Sequence, residues 1–132
     1  MDRKQLLIES FKKDKFAELA GIEIEEITEE SATVSVKLDE RHLNAIGYVQ
    51  GGMLYTLADF AFAVLGNYLH SVTVTQGGRI DYVRPAKTSY LKATATEIIR
   101  TGHNTVCDVV ITDDEGKTVC LCRFNGFVKE KI

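Results

Sequence analysis

Residues 53–69 form the most apolar stretch of the chain, and Asp59 is the only ionised side chain in it. The stretch is 17 residues long, which is short of the ~20 that a helix needs to cross a bilayer, so it predicts a buried helix. Because this helix is apolar nearly all round, it needs cover from its own sheet and from another subunit. A carboxylate there is costly unless it is paired, hydrogen-bonded or in use, which leaves both a structural and a catalytic role open for Asp59.

The hydrophobic spacing changes from helical to alternating along the chain. Residues 2–19 have apolar side chains at helical spacing and end before Gly21, a residue type common at helix ends. Two alternating segments follow within residues 22–38, and four more after the apolar helix, at 72–84, 88–100, 103–113 and 117–128. Short links between the last four favour antiparallel pairing. The pattern predicts an α+β domain over residues 1–132: an N-terminal helix, and a long helix against a curved, largely antiparallel sheet of five to six strands.

Composition narrows the possible classes of protein. The 132 residues suit one domain, and 19 acidic against 16 basic side chains give no general attraction for nucleic acid or a membrane surface. The N-terminus lacks the features of an export signal. Three cysteines lie in strand-like segments, as reduced core thiols do, at positions 107, 120 and 122. We therefore expect a cytoplasmic protein that binds neither nucleic acid nor membranes.

Two glycines stand immediately before the apolar helix. Gly51 and Gly52 would let backbone N–H groups approach a ligand at the positive end of the helix dipole, as in an oxyanion hole, although such pairs more often mark a simple turn. Asp59 lies roughly 10 Å further along the axis, at about 1.5 Å per residue. If both groups act on one carbonyl, a two-fold dimer must bring Asp59 of one subunit to Gly51 of the other.

The residues around this loop resemble the PaaI-like acyl-CoA thioesterases of the hotdog superfamily. The resemblance is strongest in the motif His42-x-Asn44-x-x-Gly47-x-x-Gln50-Gly51-Gly52 followed by Leu57-Ala58-Asp59, and it extends through residues 15–22 and 80–86. It implies the hotdog fold, in which a curved sheet wraps a long helix. It also implies dimers that join edge to edge, often paired into tetramers, with sites at the subunit interface.

The resemblance also implies roles for individual residues. Asp59 would be the catalytic acid, as nucleophile or general base, and the N–H of Gly51, next to Gly52, would polarise the thioester carbonyl. Asn44 would orient the reacting groups. Thr75 or Gln76 would assist the attacking water. Family members usually have His where this chain has Gln50, and Gln cannot change charge near neutral pH.

The implied substrate is an acyl-CoA whose phosphates meet basic side chains. The candidates are Arg79, Arg84, Lys87, Arg100 and His103, and Arg84 and Arg100 are the ones we choose, because the guanidinium group suits phosphate. No cofactor is implied. The three histidines lack the spacing of metal ligands, so we expect no metal site.

Hydrolysis of an acyl-CoA or aryl-acyl-CoA thioester is thus the first hypothesis. A second is an acyl-CoA-binding protein that lost turnover when Gln50 replaced the family's His. A third is a hotdog dehydratase or hydratase, which commonly needs a His on or beside the central helix. No His occurs between His42 and His70, which counts against the third.

Overall fold

A computed structural model describes residues 1–86 and 89–129. Its helices are α1 (Arg3–Phe11), α2 (Lys15–Ala20) and α3 (Gly51–Leu69). Its strands are β1 (Ile22–Ile27), β2 (Ser31–Lys37), β3 (Thr73–Tyr82), β4 (Tyr90–Thr101), β5 (Asn104–Asp113) and β6 (Thr118–Val128). A 3-10 turn at Glu40–His42 lies in the loop before α3.

The six strands form one sheet in the order β1-β2-β4-β5-β6-β3, and every neighbouring pair is antiparallel. Helix α3 packs against one face of this sheet, and the inward side chains of β2, β4, β5 and β6 are fully buried beneath it. The predicted α+β architecture, with a long helix held against an antiparallel sheet, is confirmed. No helix in the described residues is long and apolar enough to cross a membrane.

The N-terminal region differs from the single helix expected over residues 2–19. It contains two helices, because Asp14 starts a new one: its carboxylate accepts a hydrogen bond from the Ala17 N–H at 3.0 Å. Gly21 ends α2 with a φ of 81°, the left-handed conformation that glycine adopts without strain. The ring of Phe11 meets that of Phe60 edge to face, with centroids 5.3 Å apart, and this contact ties α1 to α3.

Gly126 allows α3 to lie close to the sheet. A Cβ at this buried position of β6 would stand 2.7 Å from Cζ of Phe62 and 2.9 Å from the Val74 carbonyl oxygen. The backbone carbonyl cannot rotate away as a side chain can, so the position requires glycine.

We expect Gly126→Ala to lower the free energy of unfolding by about 1–3 kcal/mol, since an overpacked core must shift its backbone. Urea denaturation measures the loss. Leu121→Ala, on the half-exposed outer face of the same strand, is the control, with an expected loss below about 1 kcal/mol. Equal losses in the two variants would contradict the close approach at Gly126.

Candidate active site

Helix α3 buries most of its surface but leaves one stripe open. Its buried side chains are Leu54, Leu57, Ala58, Phe60, Ala61, Phe62, Val64 and Leu65. Gly52, Thr56, Asp59 and Ala63 are not fully buried, and their spacing of three or four residues puts them on one helical face. Asp59 therefore lies half-buried on the open stripe, where its charge keeps contact with solvent.

One oxygen of the Asp59 carboxylate is held by the sheet. The hydroxyl of Thr75 on β3 donates a hydrogen bond to Oδ1 at 2.7 Å. Oδ2 has no hydrogen-bond partner within the described residues. Burial raises the pKa of Asp59 above its ordinary value, the Thr75 bond opposes this, and the negative charge of Asp14 adds to it. The result is a carboxylate that is oriented on one side, open on the other and more basic than usual.

A β-bulge at Gln76 sets which side chains of β3 face the helix. Thr75 pairs with Gly126 and Gly77 with Asn125, so Gln76 is an extra residue without a backbone pairing partner on β6. Its side-chain Oε1 accepts a hydrogen bond from Nδ2 of Asn125 at 3.5 Å. Before the bulge the odd-numbered Thr75 points to α3, and after it the even-numbered Tyr82 does. The bulge thus lets two parts of one strand contact two parts of one helix.

The first turn of α3 presents free backbone donors. Gln50 is its N-cap, and the side-chain Oε1 accepts a hydrogen bond from the Met53 N–H at 3.0 Å. The N–H groups of Gly51 and Gly52 have no acceptor within the described residues, as expected for the start of a helix. Gln50 thereby stabilises the helix start and leaves the two glycine donors for a ligand.

The side chain of Tyr82 holds the backbone of Gly51 in place, a contact that the sequence did not predict. Its hydroxyl donates to the Gly51 carbonyl oxygen at 3.0 Å. Burial raises the pKa of Tyr82, so the hydroxyl remains protonated and continues to donate at neutral pH. The alternation of β3 is the one sequence signal for which side chains face α3, and the bulge at Gln76 shifts that alternation by one residue.

His42 and Asn44 organise the loop before α3. The Asn44 side-chain oxygen accepts from the N–H groups of Ile46 and Tyr48, each at 3.0 Å. The buried His42 ring accepts the Asp39 N–H at Nδ1, so Nε2 carries the proton and donates to the Ala20 carbonyl at 2.7 Å. Within one subunit, the contacts of both residues hold the loop.

Residues of α3 contribute to three neighbouring cavities. One of about 230 Å³ contains Asp59 and Thr56, and an adjoining one of about 630 Å³ also includes Thr56 and extends to Gln50 and Gly52. A third, of about 470 Å³, contains Gly51 and Tyr82. Asp59 and Gly51 thus line different cavities of the same chain.

The basic candidates are dispersed. Arg84 lines the cavity beside Gly51 and donates to the Thr118 carbonyl at 3.3 Å. Arg100 lies at the far end of α3, 3.1 Å from the ring of His70, the C-cap residue. Arg79 pairs with Asp81 on β3. His103 stacks on Phe127 at the sheet end, and Lys87 lies outside the described residues.

Other kinds of site find little support in residues 1–86 and 89–129. No group of three His, Cys, Asp or Glu side chains there is placed to hold a metal ion. Cys107, Cys120 and Cys122 are free and buried, and burial raises the pKa of each thiol to about 12. These thiols remain protonated and serve as core side chains.

Known proteins share this sequence and fold. The model of the family described as "Domain of unknown function (DUF4442)" matches residues 11–128. The acyl-coenzyme A thioesterase PaaI of Escherichia coli is 31% identical over 114 residues, which cover 86% of this chain and 81% of that protein. The 1,4-dihydroxy-2-naphthoyl-CoA hydrolase of Listeria monocytogenes is 30% identical and covers 86% of this chain and 95% of its own.

Solved structures agree with this assignment. The crystal structure of a hypothetical thioesterase with coenzyme A from Streptococcus pneumoniae has a TM-score of 0.84 at 30% identity, and the alignment covers 92% of this chain and 98% of that one. The matches in sequence and in fold agree, and the chain belongs to the PaaI-like thioesterase family of hotdog-fold proteins.

Proposed function

We propose that this protein is an acyl-CoA thioesterase that hydrolyses acyl- or aryl-acyl-CoA to the free acid and CoA. The observation that carries the proposal is the half-buried Asp59, oriented by Thr75 and more basic than an ordinary aspartate. The free N–H groups of Gly51 and Gly52 at the start of the same helix supply the second element such a reaction needs. The relatives named as an acyl-coenzyme A thioesterase and as a 1,4-dihydroxy-2-naphthoyl-CoA hydrolase support the same chemistry.

The active unit is a dimer, since Asp59 and Gly51 of one chain line different cavities. Strand β3 is the outermost strand next to β6, with its other edge unpaired in the sheet, and Val74 and Tyr82 on it are half-exposed. Because the bulge leaves Thr75 and Tyr82 each three pairing steps from Arg79, two copies of β3 paired antiparallel about a two-fold axis at Arg79 bring Thr75 of one protomer opposite Tyr82 of its partner.

This pairing assembles the two halves of the site. Thr75 holds Asp59, and Tyr82 holds the peptide of Gly51. When Thr75 lies opposite the partner's Tyr82, Asp59 therefore lies beside the partner's Gly51. The two-fold axis makes two such sites, and because β3 is used within the dimer, two dimers pair into a tetramer through other surfaces.

The chemistry then follows from these groups. Water attacks the thioester carbonyl carbon as Oδ2 of Asp59 accepts its proton. The partner's Gly51 N–H donates to the developing oxyanion, an interaction stronger in the transition state than in the substrate. As the carbonyl re-forms, the carbon–sulfur bond breaks, and the thiolate takes the proton from Asp59.

Coenzyme A lies along the cavity beside Gly51, where Arg84 can meet a phosphate. Arg100, at the other end of α3, is less suited to that role. The related structure from Streptococcus pneumoniae contains coenzyme A. A reducing compartment, the cytoplasm, fits three free buried thiols.

We expect Asp59→Asn to lose thioester hydrolysis by about 100-fold or more, because Asn cannot accept the proton of water. Thiol release from short, long and aromatic acyl-CoAs measures this. The variant should also melt at a higher temperature at neutral pH. The raised pKa of Asp59 means that its ionised form destabilises the fold, so this gain should vanish as the pH falls below the ordinary aspartate range.

If the wild-type protein binds acyl-CoA but releases no thiol from any member of the panel, the alternative of a binding protein without turnover replaces hydrolysis. If the wild type is active and Asp59→Asn retains its rate, another group is the base.

Gly51→Pro tests the oxyanion donor, since proline removes one N–H and is well accepted at the first position of a helix. Gln50 already has the extended backbone that precedes proline, with a ψ of 134°. We expect about a 100-fold loss in kcat. Gly51→Ala is the matched control: its Cβ meets Tyr82 at the same 3.2 Å but it keeps the N–H. Similar rates for Pro and Ala would contradict the donor role.

Mixed dimers test the shared site. Asp59→Asn and Gly51→Pro chains, each inactive alone, are refolded together in equal amounts. Half of the dimers are then mixed, and one of their two sites has both groups intact, so about a quarter of wild-type activity should return. Activity that stays at the level of the separate variants would show that each site lies within one chain.

A further inference from the structure

Asp14 lines the same cavity as Asp59. The cavity, of about 230 Å³, lies between α2 and α3, and both carboxylates contribute to its wall together with Phe16, Ala17 and Tyr55. Asp14 and Asp59 are the only acidic or basic side chains among the described residues that line it, and Tyr55 is the only other titratable one. The candidate base therefore shares its cavity with a second negative charge.

Asp14 is fixed in this position. Its Oδ1 accepts from the Ala17 N–H at 3.0 Å, its own N–H donates to the Phe11 carbonyl, and its carbonyl accepts from Glu18. As the N-cap of α2 it cannot turn away without losing the helix start. Ala17 is buried, which anchors the turn against the core.

No lysine or arginine among the described residues lines this cavity, although Lys13 and Lys15 flank Asp14 in the sequence. Lys12 lines another cavity, of about 400 Å³, to which Asp14 also contributes, and it is paired with Glu9 at 2.8 Å. On β3, the group that contacts Asp59 is the uncharged Thr75, and Arg79 is paired with Asp81. The negative charge of Asp14 therefore acts on Asp59 through a half-open cavity and contributes to the raised pKa of Asp59.

We propose that Asp14 is a functional residue of the site, whose fixed negative charge makes Asp59 a stronger base without itself touching the substrate. The proposal builds on the proposed thioesterase function. In hydrolysis it has a direct use, because a stronger base takes a proton from water more readily once it is ionised. The residue that starts α2 thus also increases the basicity of the Asp59 carboxylate on α3.

Asp14→Asn tests the proposal, because Asn keeps the N-cap and removes the charge. The first measurement is an NMR titration of the Asp59 carboxyl carbon, which needs no turnover. We expect the midpoint to move to lower pH in Asp14→Asn. Asp2→Asn is the matched control: Asp2 is also an N-cap, on α1, whose start contacts Tyr68 near the far end of α3. The Asp59 midpoint in Asp2→Asn should equal that of the wild type.

The second measurement is the pH profile of kcat/KM with a thioester that the wild type hydrolyses. The acid limb of Asp14→Asn should move to lower pH, while its plateau falls about twofold as the base weakens. Serine also caps helices and carries no charge, so Asp14→Ser should behave like Asp14→Asn. Raising the salt from about 0.05 to 0.5 M should lower the Asp59 midpoint of the wild type but not of Asp14→Asn, since salt screens exposed charges.

The outcomes separate this proposal from the proposed function. An unchanged Asp59 midpoint and acid limb in folded Asp14→Asn overturns the role of Asp14, whatever the activity. A midpoint shift without thioester hydrolysis by the wild type establishes the coupling and overturns the thioesterase function instead.

Discussion

The burial of α3 is the constraint on which the rest of the structure depends. A helix that is apolar nearly all round must be covered, and the antiparallel sheet together with α1 and α2 covers all but one stripe of it. Asp59 lies on that stripe, where its charge is not fully buried. Partial burial has a chemical consequence, because it raises the pKa of the carboxylate while leaving one oxygen accessible. Packing therefore also raises the basicity of this carboxylate.

The bulge at Gln76 determines which side chains of β3 contact α3. With regular alternation along β3, Thr75 and Tyr82 would point to opposite faces of the sheet. One extra residue between them lets both face α3, so that one holds Asp59 and the other holds the Gly51 peptide. The same strand is one of the two edge strands of the sheet. Pairing of this edge with a second copy is what would bring the two held groups together.

Several parts of the site follow from residue types and spacing. The apolar run with a lone carboxylate indicated α3 and Asp59, and the glycine pair indicated backbone donors at the helix start. The spacing of seven residues between Gly52 and Asp59 pointed to two subunits, because a helix rises only ~1.5 Å per residue. By contrast, the sequence leaves open whether Gln50 only holds the loop and polarises the carbonyl or replaces a residue that must change charge. In the structure Gln50 caps α3, a role that an amide oxygen fulfils without titrating.

The sequence by itself determined the element order, the antiparallel sheet and the residue types at the candidate site, because periodicity and helix signals are local properties of the chain. Only the tertiary structure decided that Asp14 splits the N-terminal helix and lies beside Asp59, and that Tyr82 supports Gly51. These contacts join residues 31 and 45 positions apart in the chain. Their geometry depends on a bulge and on how α2 packs on α3, which no local pattern encodes.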